Sequence, residues 1–208
     1  MTEAVPVAVV GADGVGRCPW GAGDGLLAEY HDTEWGRELR GRDALFERIS
    51  LEAFQSGLSW LIVLRKRPAF RAAFAGFDPE AVARFGDDDV ARLLADAGIV
   101  RNRAKIDATI ANARAVLGLA ERGEDLETLL WSFAPPPREA PPAGFDEVPA
   151  TTPESTAMAK ALRARGFRFV GPTTCYALMQ ATGMVDDHVA GCFRAVGAAG
   201  APRGRGTA

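Results

Sequence analysis

Apolar positions recur at helical spacing along most of the chain. Asp43 can cap a helix in which Leu45, Ile49 and Ala53 follow one another every four residues, and Gly57 offers the stop. Ser59 is placed to cap the next helix, which the pattern ends before Pro68. Asp78-Pro79-Glu80 opens a short helix, with proline in the first turn and an acid beside it. Asp87-Asp88-Asp89 caps another that ends near Gly98, and Asn102 to Leu119 reads as a longer one. Prolines break the stretch from Ala134 to Thr152 into a long surface loop, after which Thr151-Thr152-Pro153-Glu154 opens a helix running to Arg165 as a capping box. No segment sustains period-two alternation. The pattern therefore predicts an all-α, multi-helix domain.

A chain of 208 residues fills one hydrophobic core comfortably and a second only with difficulty. Residues 1–16 and 197–208 are rich in Gly and Ala without amphipathic pattern, so they are expected to be a flexible extension and tail around one domain at 17–196. The glycines at 11, 14 and 16 have the wrong spacing for a dinucleotide loop, and Cys18-Pro19-Trp20-Gly21 stands where that motif needs a helix. The apolar run from Leu61 to Leu64 meets Arg65-Lys66-Arg67 at once, far short of the roughly 20 residues that cross a bilayer. The first ten residues carry Glu3 and no basic region, which predicts a cytoplasmic protein without membrane contact.

The net charge of −3 supplies no global attraction for nucleic acid. Local basic clusters remain, at Arg65-Lys66-Arg67, at Arg101, Arg103 and Lys105, and at Arg163, Arg165 and Arg168. Each taken alone also fits a solvated helix end.

Three cysteines cannot form a disulfide framework without leaving one over, so metal is the better question. The chain has only two histidines, and each shares its neighbourhood with a cysteine. His188 and Cys192 are four apart, about 40° from one another if that segment is helical, and Cys18 with His31 supplies a second pair. A Cys₂His₂ set is a closed, structural type of zinc site, and here it would join the two ends of the domain. The spacing equally fits ordinary interior residues, the expected role of Cys175.

Three of the four tryptophans, Trp20, Trp35 and Trp60, stand with Tyr30 in or near the segments that carry Cys18 and His31. Such rings suit a planar cationic base, and they also suit a core. Glu52 lies seven residues after Leu45 and three after Ile49, on the inward stripe, whereas Glu47 points about 200° away from Leu45. An inward carboxylate needs a partner, which is either an arginine or a ligand.

Arg17-Cys18-Pro19-Trp20, Tyr30-His31-Asp32-Thr33-Glu34-Trp35-Gly36, Leu51 to Trp60, Gly98-Ile99-Val100-Arg101, Gly166 to Gly171 and Asp187 to Cys192, in this order, resemble the bacterial DNA-3-methyladenine glycosylase I family. The resemblance runs from Arg17 to about Phe193. It implies a helix-hairpin-helix glycosylase fold, a structural zinc on Cys18, His31, His188 and Cys192, and a base pocket of Trp20, Tyr30, Trp35, Glu52 and Trp60. It also implies a hairpin at residues 165–174 that grips the DNA backbone through Arg168, Gly171 and Thr173. The implied substrate is double-stranded DNA carrying alkylated bases and the product free 3-methyladenine, with a monomer expected.

Methylation at N3 gives adenine a positive charge, so the base leaves neutral once flipped out of the duplex, and little acid assistance is needed. A carboxylate at Glu52 favours that cation over ordinary adenine. Two positions depart from the family's pattern. Leu27 stands where a tyrosine is usual, and Asp186 where asparagine is usual, at the site similar to the catalytic aspartate of other helix-hairpin-helix glycosylases. Asp186 is thus a candidate stabiliser of the oxocarbenium sugar, or else a helix cap for the His188 segment. The competing expectations are a non-catalytic binder of alkylated DNA, and a zinc hydrolase, which would need an open metal position.

Overall fold

The computed structural model describes residues 8–23 and 25–197. Among them run nine α-helices: α1 (Leu26–Thr33), α2 (Arg42–Gln55), α3 (Trp60–Ala73), α4 (Pro79–Ala83), α5 (Asp87–Ala95), α6 (Arg103–Glu121), α7 (Leu126–Trp131), α8 (Pro153–Ala164) and α9 (Pro172–Ala181). Several begin as the local chemistry dictates. Asp78 accepts from the Glu80 and Ala81 amides, Asn102 from Lys105 and Asp125 from Thr128. Thr152 accepts from Ser155, whose hydroxyl oxygen accepts from the Thr152 amide in turn, so Ser155 fills the place expected of an acid in the capping box.

The long α6 packs against α2, α4 and α5, while α8 and α9 pair with one another and α9 returns to α2. Their shared core contains Phe46, Phe54, Phe70, Phe74 and Phe77, all without solvent exposure. No described helix is long and apolar enough to cross a membrane.

Four local differences from the sequence pattern have physical reasons. Helix α3 continues through Pro68 to Ala73. The proline is exposed while Leu64, Phe70 and Ala73 beside it are buried, so burial at about 1.5–3 kcal/mol per large side chain offsets a break that costs about 3. Residues 8–16 were expected to trail. Instead, Val9–Val10 (β1) pairs antiparallel with Gly16–Arg17 (β2), and the Phe193 amide donates to Gly16 O at 2.8 Å. The remaining residues of the two expected ends, 1–7 and 198–208, lie outside the described residues. The segment from Asp187 to Cys192 is a non-helical loop, so Asp186 caps no helix there; its Oδ1 accepts from the His188 amide at 3.1 Å. Helix α7 has too short a pattern to register in the sequence.

Candidate active site and metal centre

Cys18, His31, His188 and Cys192 come together, all buried, with their candidate ligand atoms within 4.8 Å of one another. The sulfur-to-nitrogen separations are 3.6 Å for Cys18 to His188, 3.5 Å for Cys192 to His188 and 3.4 Å for Cys192 to His31. A tetrahedral ion with ordinary zinc–sulfur and zinc–nitrogen bonds sets that edge at roughly 3.6 Å. The four residues therefore fit a metal. Their surroundings fit it too: His31 Nδ1 is 2.8 Å from Asp32 Oδ1 and His188 Nε2 is 3.3 Å from Trp35 O, so each ring's other nitrogen is engaged. Hydrogen bonds from Cys18, His188 and His31 hold the Cys192 thiol far below its usual range. One sulfur of the pair thus readily carries charge.

Two glycines admit the histidine rings. A Cβ on Gly21 would stand 2.6 Å from the His31 ring, and one on Gly36, at φ +73°, 2.9 Å from His188 Nε2. The rings also build the neighbouring wall, since Trp35 packs edge-on against His188 at 4.6 Å and Trp20 against His31 at 5.2 Å.

On the far side of these tryptophans lies an open cavity of about 200 Å³, lined by Trp20, Tyr30, Trp35, Glu52, Gln55, Trp60, Phe145, Ala177 and Gln180. A sealed apolar cavity of about 150 Å³ holds a benzene ring, so this space is on the scale of one bicyclic base. All five expected pocket residues line it. The four lining residues not foreseen are Gln55, Phe145, Ala177 and Gln180; Phe145 comes from the proline-rich loop, which no helical period could place.

The rings meet at steep angles. Trp20 and Trp35 are 5.0 Å apart at 81°, and Tyr30 and Trp60 are 5.3 Å apart at 48°. The pocket thus offers a single ring face with other rings turned edge-on, which differs from a parallel sandwich.

Glu52 is 5% exposed, and among the described residues no group hydrogen-bonds to it. Burial pushes its carboxyl up to about 7, against the nearby Arg48 charge that pulls it down. Arg48 does not lock the acid. Its guanidinium donates to the Tyr30 hydroxyl at 2.5 Å and reaches Glu34 at 3.4 Å, where Arg67 makes two shorter bonds of 2.6 and 2.7 Å. The Trp60 Nε1–H is likewise buried without a partner. Sequence reasoning did not anticipate Arg48. An arginine on the inward face of α2 was its one visible signal.

Asp186 is placed away from this cavity. It lines a second one, of about 470 Å³, together with residues such as Trp131, Arg138, Tyr176 and Val185. Leu27 packs at half-burial against the aromatic cluster but does not line the cavity.

The turn between α8 and α9 exposes Arg168 and Thr173. Gly171 is the N-cap residue of α9 in extended geometry, φ −76°; the left-handed positions are Gly166 and Phe169. Asn112 of α6 clamps the turn, its amide nitrogen donating to Arg168 O at 3.1 Å and its oxygen accepting from Arg168 N at 2.7 Å. The basic clusters are partly consumed. Lys105 is buried and donates to Phe54 O and Ser56 O at the end of α2, Lys66 donates to Ala97 O and Gly98 O, and Arg165 pairs with Glu124. Arg65, Arg101, Arg163 and Arg168 remain exposed.

A helical fold with an aromatic, base-sized cavity and a buried acid is the architecture of a DNA base glycosylase. It superimposes on a solved 3-methyladenine DNA glycosylase I with a TM-score of 0.83, at 48% identity and covering 86% of this chain and 99% of that one. A Staphylococcus aureus structure, described as the basis of 3-methyladenine recognition by its 3-methyladenine DNA glycosylase I, gives a TM-score of 0.80 at 32% identity over 85% and 94% of the two chains. The DNA-3-methyladenine glycosylase 1 of Escherichia coli K12 is 49% identical over 85% of this chain and 95% of its own. That of Haemophilus influenzae Rd is 42% identical over 85% and 96%. The methyladenine glycosylase family model matches residues 20–195, and the chain belongs to that family.

Proposed function

We infer that the chain is a DNA-3-methyladenine glycosylase, hydrolysing the bond between the alkylated base and its deoxyribose. The observation that carries this reading is Glu52, an inward carboxylate without a protein partner on the wall of an aromatic cavity. The flipped base enters that cavity, and its positive charge meets one ring face and the Glu52 carboxylate. The bond from the sugar carbon to the base nitrogen then breaks. Both bonding electrons leave with the base, which becomes neutral, and water adds to the sugar carbon and releases its proton. The Trp60 indole N–H is a donor kept free for the guest.

A zinc ion held by Cys18, His31, His188 and Cys192 is the structural group in this reading. With four protein ligands such an ion would leave no open position for water, and His31 and His188, held by it, would keep Trp20 and Trp35 in place. Arg168, Thr173 and the free amides opening α9 hold a phosphate at the helix-hairpin-helix turn without regard to sequence. Gly171, without a side chain, leaves the approach to them open. Asp186 serves as the turn acceptor for His188 and not as a group facing the sugar, so Asp186→Asn is expected to leave single-turnover excision within about threefold of wild type. A much larger loss would restore the aspartate to the chemistry.

Purified protein incubated with methylated duplex DNA is expected to release free 3-methyladenine, detectable by chromatography. A lesion binder without catalytic function would retain the DNA and release no base.

A further inference from the structure

Gln180, near the end of α9, lines the base cavity together with Glu52 of α2. Its Nε2 donates to Asp187 Oδ2 at 2.9 Å. Asp187 is 1% exposed, its Oδ2 also accepts the Tyr176 hydroxyl at 2.6 Å, and its Oδ1 lies 3.0 Å from Arg138 Nη2. That last contact is an ion pair without hydrogen-bond alignment, since Oδ1 has no aligned donor. A carboxylate in this setting only accepts.

A glutamine amide ordinarily exchanges its nitrogen and oxygen by a half-turn. Here the half-turn would press a carbonyl oxygen against a buried carboxylate, so Nε2 must face Asp187. The Gln180 carbonyl is then left pointing the other way, and no described group donates to it. The α9 wall of the cavity thus presents a fixed acceptor.

We propose that Gln180, locked by Asp187, is a specificity-determining residue: its carbonyl oxygen accepts from the exocyclic amine of the flipped base, admitting alkylated adenine and rejecting alkylated guanine. Adenine carries an N–H donor at the ring position where guanine carries a carbonyl oxygen. A guanine lesion would set two acceptors face to face in a desolvated site, a mismatch that discriminates on the order of 10- to 100-fold. The inference rests on reading the cavity as the base pocket.

The test is single-turnover release of 3-methyladenine and 3-methylguanine from methylated DNA by wild type, Gln180→Met and Asp187→Asn. Gln180→Met keeps the side-chain volume and removes the acceptor, and is expected to lower the adenine-to-guanine ratio 10- to 100-fold. Asp187→Asn lets the new amide donate to the Gln180 carbonyl and turns Nε2 into the cavity, moving the ratio further toward guanine. A merely structural role would slow both releases together and leave the ratio in place. An unchanged ratio in folded Gln180→Met overturns the inference, and this variant decides alone should Asp187→Asn fail to fold. Wild-type protein that releases neither base would instead sink the glycosylase reading itself.

Discussion

Two aromatic clusters lie side by side in this molecule and end in opposite states. In the phenylalanine cluster, Phe74 and Phe77 stack 5.6 Å apart at 10°, and Phe54 packs against Phe70 at 4.5 Å. It closes completely. In the other cluster, Trp20, Tyr30, Trp35 and Trp60 stand with the two histidines and surround an open cavity. The difference lies in the polar tips. Phenylalanine needs only contact, whereas indole, phenol and imidazole carry polar atoms that favour a partner when buried, which Tyr30 and His188 have and Trp60 lacks. Partners such as Arg48 for Tyr30 and Trp35 O for His188 fix the rings at steep angles, and that keeps the walls apart.

The largest effect expected from breaking this contrast is on the metal centre. Removing the ion with a chelator, or making Cys192→Ser, is expected to abolish excision, shift tryptophan emission to the red and destabilise the chain by several kcal/mol. Most far-UV helical signal should survive at low temperature, carried by the phenylalanine side. Purified, active protein with no zinc by mass spectrometry would refute the metal assignment.

Phe74→Ala attacks the other cluster and is expected to cost about 3–5 kcal/mol in denaturant unfolding. The folded fraction should excise as well as wild type. A loss of excision equal to that of a cavity variant would show the clusters to be one cooperative unit.

Glu52→Gln should separate stability from function in a single residue. Excision is expected to fall on the order of 10²-fold, the scale of one lost electrostatic contact in a dry site. Stability moves the other way. Because the Glu52 pKa rises from 4.5 to about 7 on folding, the folded chain holds a proton that the unfolded chain releases, and wild-type stability declines as pH climbs through that window. The glutamine variant should therefore melt higher than wild type at pH 8.5, with little difference at pH 4.5. Equal melting curves at both pH values would mean that the acid is solvated or paired. By the same logic, wild-type excision should rise with pH through an apparent pKa near 7.

The smallest effect is assigned to Arg48→Met. Losing that cation removes the one nearby charge that pulls the Glu52 pKa down, so the midpoint of the pH–rate profile should move upward by roughly one unit or less. A downward shift would contradict the assigned electrostatics.

The helical period, the capping residues and the motif order made most of this protein legible from its sequence. Leu45, Ile49 and Glu52 share one stripe because a helix repeats every 3.6 residues, so the acid's inward aim followed from local geometry alone. The candidate metal-holding cluster was equally visible, since a chain with two histidines and three cysteines offers few sets. Tertiary contact decided the rest. Whether Glu52 met an arginine or a cavity depended on Arg48 turning to Tyr30 and Glu34, a choice no single helix can encode. Pro68 stayed inside its helix because the core on either side outweighed the lost bond. Gln180 and Phe145 joined the pocket from segments far from Glu52 in the chain, brought there by packing between elements. Local periodicity fixes which way a side chain faces, and only long-range packing fixes what it meets.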